Sequence, residues 1–108
     1  MLPSNAPYRL RKYFKSEDEP IWKEFVKFLY REKVYGIFMY NILNVDSRWM
    51  STFSYREQNA QPYFYIVCAF EWIRTKEGMD FWQQVNIKWR KYMIELRDKK
   101  IWSLQKKD

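Results

Sequence analysis

Histidine is absent from the 108-residue chain. That removes Ser–His–Asp and Cys–His nucleophile systems at once, together with histidine-ligated zinc or haem sites built from this chain alone. A single cysteine, Cys68, leaves no internal disulfide and no CxxC ligand pair. Glycine occurs twice and proline four times, too few for the many tight turns of β-sandwiches and small barrels. Two isolated glycines, Gly36 and Gly78, cannot form a GxGxxG or Walker A phosphate loop. Long apolar runs are missing as well. The longest uncharged stretches, 34–45 and 58–70, fall well short of the ~20 residues that span a bilayer. The basic residues within 1–15 are followed by no apolar leader core, so a cytoplasmic protein with no membrane partner is expected.

What is present is aromatic and basic. The chain holds 8 Phe, 9 Tyr and 6 Trp, 21% of its residues, a richness that disordered chains lack. One domain over 1–108 is expected, with basic, flexible ends at about 1–15 and 99–108. Residues 1–15 carry four basic and no acidic groups, 16–86 eight basic and ten acidic, and 87–108 eight basic and three acidic. The net charge of +7 therefore sits at the two ends. Arg9, Arg11, Lys12, Lys15, Lys88, Arg90, Lys91, Arg97, Lys99 and Lys100 are candidate contacts for an anion or nucleic acid, if the termini meet. Tyr8, Tyr13 and Trp102 could offer stacking surfaces beside them.

Apolar spacing predicts an all-α chain, a compact bundle of about four helices. The first helix starts within Ser16-Glu17-Asp18-Glu19-Pro20, where Ser16 and Glu19 match a capping box and Pro20 suits a first turn. Trp22, Phe25, Val26 and Leu29 draw its apolar stripe, Lys23, Lys27 and Arg31 lie on a solvent face, and Gly36 marks its left-handed end. A short second helix covers 37–43, and 46–61 reads as an irregular loop packed over the core or a short hairpin-like excursion. Pro62 opens a nearly all-apolar helix over 63–72, a central buried element. The alternative is an α+β fold with a short sheet formed by 37–43 and 63–72. Thr75 caps a long amphipathic helix from Lys76 to about Asp98, with Trp82, Val85, Trp89, Tyr92 or Met93, and Leu96 on its stripe. Gly78, early in that helix, leaves room for a backbone or ring to come close.

The stretch Ala69-Phe70-Glu71-Trp72-Ile73-Arg74-Thr75-Lys76-Glu77-Gly78-Met79-Asp80-Phe81-Trp82, continued through Val85, Asn86 and Trp89, resembles a pattern in small accessory proteins of tailed bacteriophages. There an aromatic pair precedes T-x-E-G-x-x-F-W and a further Trp follows. The resemblance covers about 25 of the 108 residues. It implies a source and a kind of protein, with the host-cell cytoplasm as its setting, and carries over no catalytic residue. Physically the pattern is helix, capped turn, helix, with Phe70 and Trp72 expected to pack on Phe81, Trp82 and Trp89.

Without histidine, catalysis would fall to carboxylates, tyrosine or lysine. Glu77 with Asp80, and the Glu17-Asp18-Glu19 cluster, are placed where acids serve helix starts. Glu71, between Phe70 and Trp72, is expected in a buried ion pair with Arg74, Arg48 or Arg56, Arg74 being the chosen partner. Cys68 reads as a small core hydrophobe. No catalytic, metal-ligating or cofactor-binding residue is assigned, and no cofactor is expected. The favoured reading is a non-catalytic interaction protein that binds and modulates a host or viral protein, inhibition of a bacterial defence system being one version. The alternative is a nucleic-acid-binding accessory protein using the basic ends; a small-ligand enzyme using Glu71 or a tyrosine ranks below both. A homo-oligomer fits if several tryptophans are exposed.

Overall fold

The computed structural model describes the backbone of residues 6–105 and the side chains of residues 6–99. It is all-α: a 3₁₀ turn at Leu10–Tyr13 is followed by α1 (Asp18–Arg31), α2 (Tyr35–Ile42), α3 (Ser47–Met50), α4 (Tyr55–Gln58), α5 (Tyr63–Ile73) and α6 (Lys76–Gln105), with no strand among the described residues. The alternative of a sheet from 37–43 and 63–72 is thereby overturned, since both stretches are helical. In α5 the reason is burial. Tyr63, Phe64, Ile66, Val67, Cys68, Ala69 and Trp72 are all buried, and a helix meets its own backbone hydrogen bonds while presenting apolar side chains on every face.

The Thr75 corner sets the layout. Thr75 Oγ1 accepts a hydrogen bond from Gly78 N–H at 3.1 Å and donates one to the Trp72 carbonyl at 2.6 Å. One hydroxyl thus ends α5 and starts α6. A methyl group at Gly78 would collide with the Trp72 carbonyl and the Ile73 backbone, whereas one at Gly36 would meet open space. Only glycine lets the two helices turn so tightly here. From this corner α6 packs on α5 and α1, and α5 packs on α2, α1 and the 3₁₀ turn. Around α5, Phe25, Phe28, Phe38, Leu10, Leu29 and Ile42 complete one continuous core. Trp72 meets Phe81 at 5.2 Å between ring centroids and Phe38 at 5.8 Å.

Three local expectations differ from the structure. Helix α1 ends at Arg31, before Gly36: Lys33 takes the left-handed conformation (φ 61°), Val34 N–H donates to Leu29 O at 3.0 Å, and Lys33 N–H donates to Tyr30 O at 3.1 Å. Those two bonds form a Schellman stop, which places the partly buried Val34 against the core. Second, Ser16 does not cap α1; its hydroxyl donates to Glu17, while Asp18 Oδ2 accepts the Lys15 N–H at 2.7 Å. The capping box lies at Ser54 and Glu57 instead, starting α4 inside the stretch read as loop. Third, the segment from Ala6 is no loose end, because Leu10 and Phe14 are buried and Phe14 stacks on Tyr63 at 5.7 Å. At the other end, α6 continues as helix through Gln105, and residues 106–108 lie outside the described residues. No helix among the described residues is long and apolar enough to cross a membrane.

Candidate functional site: an aromatic groove beside a cationic segment

The N-terminal basic residues are built into the fold to different degrees. Arg9 spans two segments: its guanidinium donates to the Thr52 carbonyl and, at 3.2 Å, to Thr52 Oγ1, stands 3.6 Å from Glu57 Oε1, and lies 4.5 Å over the Phe53 ring. Arg11 Nε donates to the Ala6 carbonyl at 2.8 Å. Lys12 lies 5.3 Å from the Tyr13 ring centroid, and both Lys12 and Lys15 are exposed. Tyr8, Arg9, Arg11 and Lys12 line an open cleft. Next to it, Lys12, Tyr13, Phe14, Lys15, Asp18 and Phe70 line a second.

The C-terminal basic residues lie elsewhere. Lys88 pairs with Glu32 at 3.3 Å, and Arg31 pairs with Glu95 at 3.8 Å, both at the C-terminal end of α1. Arg90, Lys91, Arg97 and Lys99 are exposed along α6, and the Lys100 side chain lies outside the described residues. The N-terminal set sits by Asp18, at the opposite end of this 14-residue helix, about 20 Å away at 1.5 Å per residue. The two basic sets expected to meet are therefore held apart by the length of α1.

Between α1, α5 and α6 runs a groove of about 190 Å³ lined by Asp18, Ile21, Trp22, Phe25, Phe38, Ile66, Ala69, Phe70, Ile73, Trp82 and Trp89. Its floor follows from three helical stripes. Phe25 of α1 stands 6.2 Å from Trp82 and 5.0 Å from Trp89 of α6, both edge-on, and 5.5 Å from Phe38 of α2. Ile21 and Phe70 form the mouth, each 42% exposed. Phe70 stands half-exposed on the groove it shares with Trp82 and Trp89, whereas Trp72 is buried against Phe81. Ile21 lies one residue ahead of the α1 stripe, and the position of Phe70 beside Trp72 is that of a packing residue. The sequence signal for the groove was weak because a ring that walls an opening has the same spacing as one that fills a core.

The acids offer little chemistry. Glu71 and Arg74 do pair, at 3.7 Å, but Arg74 is 79% exposed and Glu71 about one-third exposed. The expected buried pair is a surface one, because Glu71 rides the outward edge of α5 beside the exposed Phe70; exposed pairs contribute about 0–1 kcal/mol. Glu17 is held below the usual carboxylate range by its own backbone hydrogen bond and by Ser16. Glu77 and Asp80 are exposed. No cluster of acids and cysteine suited to a metal ion occurs among the described residues. Cys68 is fully buried, and burial pushes its thiol up to about 12, where the nucleophilic thiolate is scarce. Tyr92 donates to Glu24 at 3.1 Å, tying α6 to α1, and burial raises its hydroxyl.

A second apolar surface lies on α2, where Ile37, Tyr40 and Leu43 face outward and Tyr30 stacks on Tyr35 at 4.1 Å. Exposed apolar side chains of this kind are ordinary on a protein surface. The groove differs in being concave and aromatic, and in adjoining a cleft lined by Lys12 and Lys15. No protein-family model, no curated protein and no solved structure matches this chain.

Proposed function

We propose that the chain is a non-catalytic protein-binding module whose groove between α1, α5 and α6 takes one large apolar side chain of its partner. One observation carries this reading: the groove is open, walled by Trp22, Phe25, Phe70, Trp82 and Trp89, and has a volume of about 190 Å³. An engineered apolar cavity of about 150 Å³ accepts benzene, whereas cofactor and drug-sized sites run to roughly 300–1,000 Å³. The groove is sized for a single leucine, phenylalanine or tryptophan. Buried anchors of that kind dominate protein interfaces. Asp18 is the one carboxylate in the lining, so no pair of acids is poised there for acid–base work. The likeness of residues 69–89 to phage accessory proteins makes a host or viral protein the partner to try first, an enzyme of a bacterial defence system among them. Modulation would then follow from occlusion of the partner's surface.

The test uses N-acetyl-tryptophanamide as a stand-in for the anchor, followed through the indole N–H resonances of the protein. Saturable shifts at Trp82 and Trp89 at a millimolar-range Kd, about −4 kcal/mol, are expected, and Phe70→Glu abolishes them. Shifts that never saturate, or that persist unchanged in Phe70→Glu and Ile21→Glu, contradict the reading. Both substituted positions are partly exposed, so the fold is retained.

A further inference from the structure

The groove does not end at its own mouth. Asp18 and Phe70 wall both the groove and the cleft beside Phe14, and Lys12 walls both that cleft and the one formed by Tyr8, Arg9 and Arg11. The three openings therefore adjoin along Asp18, Phe70 and Lys12, a track on the N-terminal side of the molecule that is aromatic at one end and cationic at the other, with the Asp18 carboxylate where the groove meets the cleft. Four cations border it: Arg9, Arg11, Lys12 and Lys15. Carboxylates stand among them: Glu57 offsets Arg9 at 3.6 Å, Asp18 accepts the Lys15 backbone N–H, and Glu17 is exposed beside Lys15, so Lys12 and Lys15 are the cations that reach solvent.

Resting on the groove reading above, we propose that this track binds an acidic segment of a partner protein, with the apolar anchor in the groove and neighbouring carboxylates on Lys12 and Lys15. Charge complementarity selects this occupant. A lysine-rich segment would face Lys12 and Lys15, whereas an acidic one meets them with its anchor seated at Phe70. Lys12 and Lys15 reach into solvent and steer an anionic partner at long range. A nucleic acid needs a longer run of phosphate contacts, and the C-terminal cations that would extend one sit at the far end of α1.

The experiment is fluorescence anisotropy with a labelled pentapeptide carrying two glutamates on each side of one tryptophan. Two companions replace the glutamates with lysines, or the tryptophan with alanine. The acidic tryptophan peptide is expected to bind at least about ten-fold more tightly than either, and to weaken between about 50 mM and about 500 mM salt as screening shortens the field. Lys12→Glu with Lys15→Glu is expected to cost about ten-fold, or about 1.4 kcal/mol, while Lys91→Glu with Arg97→Glu changes binding less than about two-fold. Equal binding of the acidic and basic tryptophan peptides overturns the proposal and leaves the groove reading standing. Failure of both tryptophan peptides to bind overturns the two together. Tighter binding of oligothymidylate than of the acidic peptide, lost in the Lys12/Lys15 double variant, overturns the proposal in favour of nucleic acid.

Discussion

Residues 8–15 and 88–99 both mix Lys and Arg with aromatic and aliphatic side chains, and both come from the strongly basic ends of the chain. In the first, Leu10 and Phe14 sink into the core and Arg9 is pinned to Thr52 and Phe53, which leaves Tyr8, Lys12 and Lys15 standing on a fixed surface. In the second, the last side chains packed on the core among the described residues are Trp89 and Tyr92, and α6 runs on through Gln105. Thirteen further residues at 1.5 Å each carry the helix about 20 Å past that point. Similar charge has become a built cationic wall at one end and, among the described residues, a row of exposed charges along one helix at the other. Composition sets how basic an end is; buried apolar neighbours decide whether that charge has a defined shape to offer a partner.

The largest test of that contrast is a pair of truncations. Leu10→Ala removes a fully buried side chain and is expected to cost about 3 kcal/mol, whereas Ile94→Ala, 49% exposed on α6, costs under about 1 kcal/mol. Urea unfolding of both variants measures the difference, and equal losses would erase the distinction between the ends. A smaller contrast separates Arg9 from Arg97. Arg9→Ala gives up its Thr52 hydrogen bonds and its place over Phe53 for about 1 kcal/mol, while Arg97→Ala stays within about 0.5 kcal/mol; thermal melts read both.

The smallest effect tests whether electrostatics, rather than packing, distinguishes the ends. Burial raises the hydroxyls of Tyr63, under Phe14, and of Tyr92, under the start of the overhang, above 10.0. The folded state keeps protons that the unfolded chain releases above pH 10, so stability falls as pH rises past that value. Tyr63→Phe and Tyr92→Phe are each expected to flatten the decline to a similar degree; flattening by only one would assign the contrast to charge. Cys68 acts in the same direction from a lower pH. Its thiol is raised from 9.0 to about 12, so the loss begins near pH 9, and Cys68→Ala removes that early limb.

The long helices were legible because their stripes are long: Trp22, Phe25 and Leu29, then Trp82, Val85 and Trp89, repeat over several turns. The Thr75 cap and the close approach at Gly78 were legible because each needs a particular residue type at one place. The capping box at Ser54 and Glu57 was hidden by brevity, a single turn between two irregular segments. Ser16 and Glu19 show the same spacing without the bond, so spacing alone does not distinguish the two. The docking of the N-terminal segment was hidden because charged residues outnumber its large buried anchors, Leu10 and Phe14. The groove was the least legible feature, since Ile21 and Phe70 gain meaning only from how α1, α5 and α6 come together.

The most direct measurement is a backbone and indole NMR titration with the acidic tryptophan pentapeptide. Shifts are expected along one path, from the indoles of Trp82 and Trp89 through Phe70 to Lys15 and Lys12. Shifts confined to Ile37 and Tyr40 on α2, or to Lys91 through Lys99 on α6, would place recognition on a different face and contradict the account.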